Sequence, residues 1–385
     1  MNIVIATDSF KGSKSSVEVA SCIENGIRRV APGAIVTKMP IADGGEGTVE
    51  ALITGAGGVT HACTVTGPLG ERQEAIFGVL ENGAAVIEMA AASGLPLVPE
   101  KHRDPRITTT RGTGELIKAA LDLGCRRFIL GIGGSATNDG GVGAAQALGI
   151  SFKDETGGEL PYGGGALSVL AGIDVSGLDP RIKESEIVIA SDVSNPLCGE
   201  RGASAVYGPQ KGADPRMVSE LDANLNHLAR ITRDQLGVDL ADVPGAGGAG
   251  GLGYGLMAYC GARIGSGIDT VLDSVNFDGR MKDCDLVITG EGRIDAQSVY
   301  GKVPVGVARR AKKYGVPVVA IVGGIGDGAD AVYDYGVDAM VSTVNCAMTL
   351  ERAMENSASL LEEAAERVIR IVMIGMSISS VSRGV

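Results

Sequence analysis

Six glycines lie between Gly131 and Gly143 in the run GIGGSATNDGGVG, beside Ser135, Thr137, Asn138 and Asp139 and just after the apolar Phe128-Ile129-Leu130. Glycine lets consecutive backbone N–H groups converge on an anion, while hydroxyls, an amide and a carboxylate add directed polar contacts. Such a run suits recognition of a phosphate or a small polar substrate; a tight strand-to-helix turn is the purely structural alternative. The same texture recurs along the chain. NIVIATDSFKGS carries Asp8, Ser9 and Lys11, and PIADGGEGT carries Asp43 and Glu46. IVIASDVSNP carries Asp192 and Asn195, YGPQKGA carries Gln210 and Lys211, and DLVITGEGRIDAQSVYGK carries Glu291, Arg293, Asp295, Gln297 and Lys302. Most of these loops follow an apolar, strand-like run, and ligands of open α/β sheets bind beyond the carboxyl ends of the strands.

Phosphoryl transfer asks little else of a protein than this inventory: cations for the transferring group, a bound Mg²⁺, and a carboxylate to orient or deprotonate the attacking hydroxyl. The G-x-x-x-x-G-K-[ST] loop is missing, because Gly301-Lys302 is followed by Val303 and lacks the upstream glycine. A phosphotransferase here must use another fold. The rival is an NAD-dependent dehydrogenase of a small hydroxy acid, since Gly131-x-Gly133-x-x-Ala136 fits a loose dinucleotide fingerprint with Asp154 downstream. His61, His102 and His227, the three histidines, stand outside these loops, so hydride chemistry lacks its usual acid. Neither a histidine metal cluster nor a G-x-S-x-G elbow is present, which argues against zinc and serine hydrolases.

The elements that position these loops are legible from periodicity. Asn2–Ala6 reads as a strand, and Ser15-x-x-Glu18 as a capping box; Val19, Ala20, Ile23, Ile27 and Val30 then form one helical face ending before Pro32. Near the other end, a strand at 285–288, a helix opened by Pro304 and a buried strand at 316–322 repeat the pattern. Between them lie short strands at 86–88, 128–130 and 187–190 and a helix near 113–123. The expected fold is α/β: a Rossmann-like domain with a parallel sheet, discontinuous over 1–62 and 261–385, and an inserted α/β domain over 63–260, with a cleft between them that closes by a hinge. PGAGGAGGLGYG, residues 244–255, reads as a linker or as a ligand or hinge loop. A helix or helix pair near 350–371 is expected to pack outside the sheet, and IGMSISSVSRGV beyond it reads as a frayed tail.

A net charge of −12, no Trp and 3% aromatic residues argue against nucleic acid or an anionic membrane as partner. The seven cysteines form no C-x-x-C pair and suit a reducing compartment. The chain opens on a strand rather than a leader, and no apolar run approaches the roughly 18 residues of a membrane span, so a cytoplasmic protein is expected.

Together, DSFKGS, ADGGEGT, TGPLG, IEMAAASGL, TTTRGTGELI, GIGGSATNDGG, DVSNPL, GPQKGA and ITGEGRIDAQSVYGK resemble the type 1 glycerate kinase family of bacteria, from Asn2 to about Ile371. Thr7, Gly12 and the tail after Met373 depart from the family pattern. The resemblance implies ATP- and Mg²⁺-dependent phosphorylation of D-glycerate, in the breakdown of glycolate, glyoxylate or glucarate. The expected product is 2-phosphoglycerate, with 3-phosphoglycerate the alternative; self-association is compatible with the reading. Residue chemistry then assigns roles. Asp192 and Asp295 are the carboxylates expected to work on the glycerate hydroxyl, with Lys11 beside them in catalysis. Ser135, Thr137, Asn138, Asp139, Asn195, Lys211, Glu291, Arg293 and Lys302 are expected to bind substrate or phosphate. Asp8, Asp43 and Glu46 are the expected Mg²⁺ ligands, through oxygen or water.

Overall fold

The computed structural model describes residues 1–299 and 301–382, which divide into two compact units. The first comprises Met1–Asp43, Glu50–Ala56 and the chain from Ile268 onward; the second comprises Gly44–Val49 and Gly57–Gly267.

The first unit is built on a five-stranded, all-parallel sheet in the order Ala339–Ser342, Val318–Val322, Leu286–Gly290, Asn2–Thr7, Ile35–Lys38. The chain leaves the central pair in opposite directions: from Asn2–Thr7 through the helix Ser16–Val30 to Ile35–Lys38, and from Leu286–Gly290 through the helix Val303–Lys312 to Val318–Val322. Strand order therefore reverses between Asn2–Thr7 and Leu286–Gly290, which is where such sheets open a crevice. Ser15 caps the first helix in a full capping box with Glu18, and Pro304 sits in the first turn of the second.

Val19, Ala20, Ile23 and Ile27 pack on Ile3, Ile5 and Ile288 and on Leu361, Ala364, Ala365 and Val368 of the long helix Ser357–Ser382. At Gly26 a side chain would lie 2.2 Å from the Glu362 carbonyl oxygen, so the two helices cross at backbone distance. The long helix corrects the frayed-tail reading: it continues without a break through Ser382, and residues 383–385 lie outside the described residues. Its periodicity fades because its neighbours end. Ile371, Ile374, Met376 and Ile378 are all exposed.

The second unit holds a six-stranded mixed sheet in the order Arg263–Gly265, Glu186–Ala190, Arg127–Gly131, Ala84–Glu88, Arg72–Leu80, Gly58–Thr66. The first four strands are parallel; the last two form an antiparallel extension. Leu116, Ile117, Ala120 and Leu121 of the helix Arg111–Asp122 cover it, as their spacing predicts.

The run at 244–255 is not a linker. It folds into the buried helix Gly248–Cys260, whose first turn contains left-handed Ala249, Gly250 and Gly251. Gly250, at φ +68°, would place a side-chain carbon 1.9 Å from the Thr137 carbonyl oxygen. The glycines are there for a backbone-on-backbone contact, a requirement that linker composition imitates.

Candidate active site

Four carboxyl ends of the first unit's parallel strands surround one cavity of about 840 Å³. Asp8, Ser9 and Lys11 follow the first strand, and Glu291 and Arg293 follow Leu286–Gly290; Gly323 and Gly324 follow Val318–Val322, and Thr343 and Val344 follow Ala339–Ser342. Asp43 and Lys302 add further charge to the lining. The Asp8 N–H donates to the Gly290 carbonyl at 2.9 Å, which locks the two loops together at the point where strand order reverses.

The cavity wall carries three acids, Asp8, Asp43 and Glu291, and three basic groups, Lys11, Arg293 and Lys302. Asp8 is buried, and its carboxyl is pushed up to about 7, first by burial and then by Asp43, against the opposing pull of the Ser9 N–H and Lys11. Its Oδ1 accepts from the Ser9 N–H at 2.6 Å. Glu291 is also buried, and burial raises it. It accepts from the Ser298 hydroxyl at 2.6 Å and lies 3.5 Å from the Lys302 ammonium, which stands 3.9 Å from Asp295. Asp295 accepts from the Gln297 N–H and faces exposed Arg293 at 3.7 Å. Lys11 is exposed at the rim. Carboxylates held together at a raised pKa around a cavity are set to receive a cation, and the two lysines to receive an anion.

The second unit arranges its predicted residues differently. Asp139 is fully buried and accepts from the N–H groups of Thr110, Gly141 and Gly143 and from the Thr110 hydroxyl at 2.8 Å. Burial raises its pKa, and these donors counter the rise. The Lys211 ammonium, 1% exposed, donates to the Thr137 carbonyl oxygen at 2.7 Å, and burial pulls it down to about 7 with Asp139 opposing. The Asn138 amide donates to the Ser204 hydroxyl, while Thr137 Oγ1 and Asn138 Oδ1 are buried without a hydrogen-bond partner. Ser135 is buried as well, on a short bridge to Gly94. Asn195 accepts from the Tyr207 hydroxyl and donates to the Arg201 carbonyl, pinning its own loop. Asp192 is exposed and accepts from the Gly267 N–H at 3.3 Å. Glu46 is exposed too; Glu88, a half-buried carboxylate raised first by desolvation and to a lesser degree by Glu46, holds the Val49 N–H at 2.7 Å.

Of the predicted residues, then, Asp8, Lys11, Asp43, Glu291, Arg293 and Lys302 line one cavity, with Asp295 beside Lys302. Asp192, Asn195, Lys211, Glu46 and the residues from Ser135 to Asp139 belong to the other unit. Sequence reasoning missed Glu88 and Thr110, and it passed over the segment from Thr343 to Met354, a loop followed by the start of a helix, which has no lysine and no paired carboxylates to mark it. The available signal was positional: that segment follows a parallel strand.

The dinucleotide alternative fails on local geometry. The helix after the glycine run, Val142–Ala147, has its amino-terminal N–H groups taken by Asp139, and Asp154 bonds Thr156 and Gly158 within its own exposed turn. No pyrophosphate could share those donors.

A parallel α/β sheet whose strand reversal point carries paired acids, lysines and a cavity defines a protein that handles a small anionic ligand. Residues 3–373 match the model of the glycerate kinase family. A glycerate kinase of Bacillus subtilis is 54% identical, the alignment covering 96% of this chain and 97% of that one. A glycerate 2-kinase of Escherichia coli is 52% identical over 98% and 99%. A crystal structure described as a glycerate kinase 2 of Salmonella typhimurium superposes with a TM-score of 0.89 at 48% identity, covering 98% of this chain and 99% of that one. The chain belongs to the glycerate kinase family.

Proposed function

We propose that this protein phosphorylates D-glycerate with ATP to give 2-phosphoglycerate. The observation that carries the reading is the cavity at the strand reversal point, where Asp8, Asp43 and Glu291 meet Lys11 and Lys302, in a chain of this family. Lys11 and Lys302 supply positive charge for the phosphates of ATP. Asp8 and Asp43 are the residues to hold Mg²⁺: they repel one another in a buried setting, and a small hard cation relieves that repulsion. Among the described residues there is no cluster of three or more acids, histidines or cysteines placed as a metal cage; Mg²⁺ held by one or two carboxylates and substrate phosphates needs none. When bound, the ion neutralises charge that develops on the transferring group.

Asp295 and Asp192 are the two carboxylates to orient and deprotonate the glycerate hydroxyl. Asp295 lies 3.9 Å from the Lys302 ammonium, and Asp192 sits just past the carboxyl end of Glu186–Ala190. Incubation with ATP, Mg²⁺ and D-glycerate, followed by phosphorus NMR, tests the activity and reads the carbon phosphorylated. Asn substitution at each aspartate separates them: the base loses turnover by about 10²–10⁴-fold, as loss of a positioned proton acceptor does. Glycerate-independent ADP formation only, or none, would defeat the proposal. Among the described residues no helix is long and apolar enough to cross a membrane.

A further inference from the structure

The cavity has a second half that charge chemistry leaves unused. Opposite in character to Asp8, Glu291 and Lys302, it is lined by Ile325, Val344, Met348, Leu350 and Met354. Three of these are open to solvent to an extent unusual for aliphatic side chains: Ile325 at 51%, Val344 at 36% and Leu350 at 71%. Isolated exposed aliphatics need no explanation, but three that converge on one concave surface do. The volume is that of a site for an organic molecule rather than for glycerate, which has no apolar face to cover them.

A ligand matching both halves carries several negative charges at one end and a flat, weakly polar ring at the other. We infer that the slot formed by Ile325, Val344, Leu350 and Met354 receives the base of the nucleotide whose phosphates lie at Lys11 and Lys302. The inference rests on the kinase reading and adds the direction in which the nucleotide lies. Thr343, adjacent in sequence to Val344 and also on the wall, provides a hydroxyl for the ring edge, while Thr349 caps the helix Leu350–Glu355. Gly12 at φ +75° comes close to the Met354 methyl, so the loop that carries Lys11 and the helix Leu350–Glu355 that carries the apolar wall meet directly. The phosphate and base ends are thereby fixed to one another.

Calorimetry tests this with ADP, adenosine and inorganic tripolyphosphate as probes, on the full chain and on Leu350→Asp and Val344→Asp. Both residues are exposed, so folding is retained, which the thermal midpoint checks. Leu123→Asp, at a position 53% exposed in the other unit, is the control. The expected result is a loss of about tenfold or more in ADP affinity for the two slot variants. Adenosine should follow ADP, and tripolyphosphate should keep its wild-type affinity. KM for ATP should rise in parallel while KM for D-glycerate, measured at saturating ATP, stays in place. Unchanged ADP affinity in both variants, or equal losses for ADP and tripolyphosphate, would overturn the slot and leave the kinase standing. Failure of the unaltered protein to phosphorylate D-glycerate defeats the kinase instead, and failure to bind ADP defeats both.

Discussion

Two regions set carboxylates and lysines on glycine-rich loops, and they differ in what the charges face. In the first unit Asp8, Asp43 and Glu291 crowd a cavity, with Lys11 and Lys302 at its wall and rim. In the second, Asp139 and Lys211 are sealed, one held by four donor groups of the surrounding loops and the other by a carbonyl. Similar residue types thus serve opposite ends. Charges that face a cavity are set for a ligand; charges whose partners are backbone atoms hold a loop in shape, because a buried charge persists only when hydrogen-bonded.

The largest effect should separate the two lysines. Lys302→Ala is expected to lower kcat/KM by about 10²–10³-fold, the scale of removing one preorganised electrostatic contact, with little change in thermal midpoint. Lys211→Met should instead show itself chiefly in the unfolding midpoint. A Lys211→Met protein with an intact midpoint and abolished turnover would break the contrast.

Backbone contact comes next. Gly250→Val forces a branched side chain into left-handed backbone against the Thr137 carbonyl, and a loss of about 3 kcal/mol or more in denaturant unfolding is expected. Unfolding of near wild-type stability would show that this helix start can shift away.

The pH dependence of stability should have opposite slopes for the two sites. Folded Asp8 binds its proton more tightly than the unfolded chain does, so its contribution falls as pH rises from 3.8 toward about 7. Asp8→Asn should therefore stabilise the protein above pH 7, an advantage that vanishes in acid, while impairing activity. Folded Lys211 binds its proton less tightly, so its contribution rises from about 7 toward 10.5, and Lys211→Met should flatten that limb. Chemical denaturation across pH reads both, and parallel slopes would remove the distinction.

The smallest effect belongs to Thr110→Val, which removes one donor to buried Asp139 and should cost about 1–3 kcal/mol. No loss would mean that the N–H donors suffice, sharpening the view that backbone holds this loop.

Local order was well marked in the sequence. Ser15 and Glu18 form the capping box their spacing predicts, Pro304 opens its helix, and the order of motifs from DSFKGS to GEGRID places the chain in its family. These signals survive because a helix cap or a strand period is set within a few residues. Which acid faces open space is set otherwise. Asp8 and Glu291 are 283 positions apart in numbering and become neighbours only because their strands pair in parallel, Ile3 against Leu286. Asp139 turns inward because Thr110, from another element, bonds it, and the glycines near 250 read as a linker until the Thr137 backbone lies against them. The residue types and their local frames were determined by the sequence alone. Tertiary pairing decided which of them meet solvent, since burial and charge proximity depend on neighbours that spacing along the chain does not name.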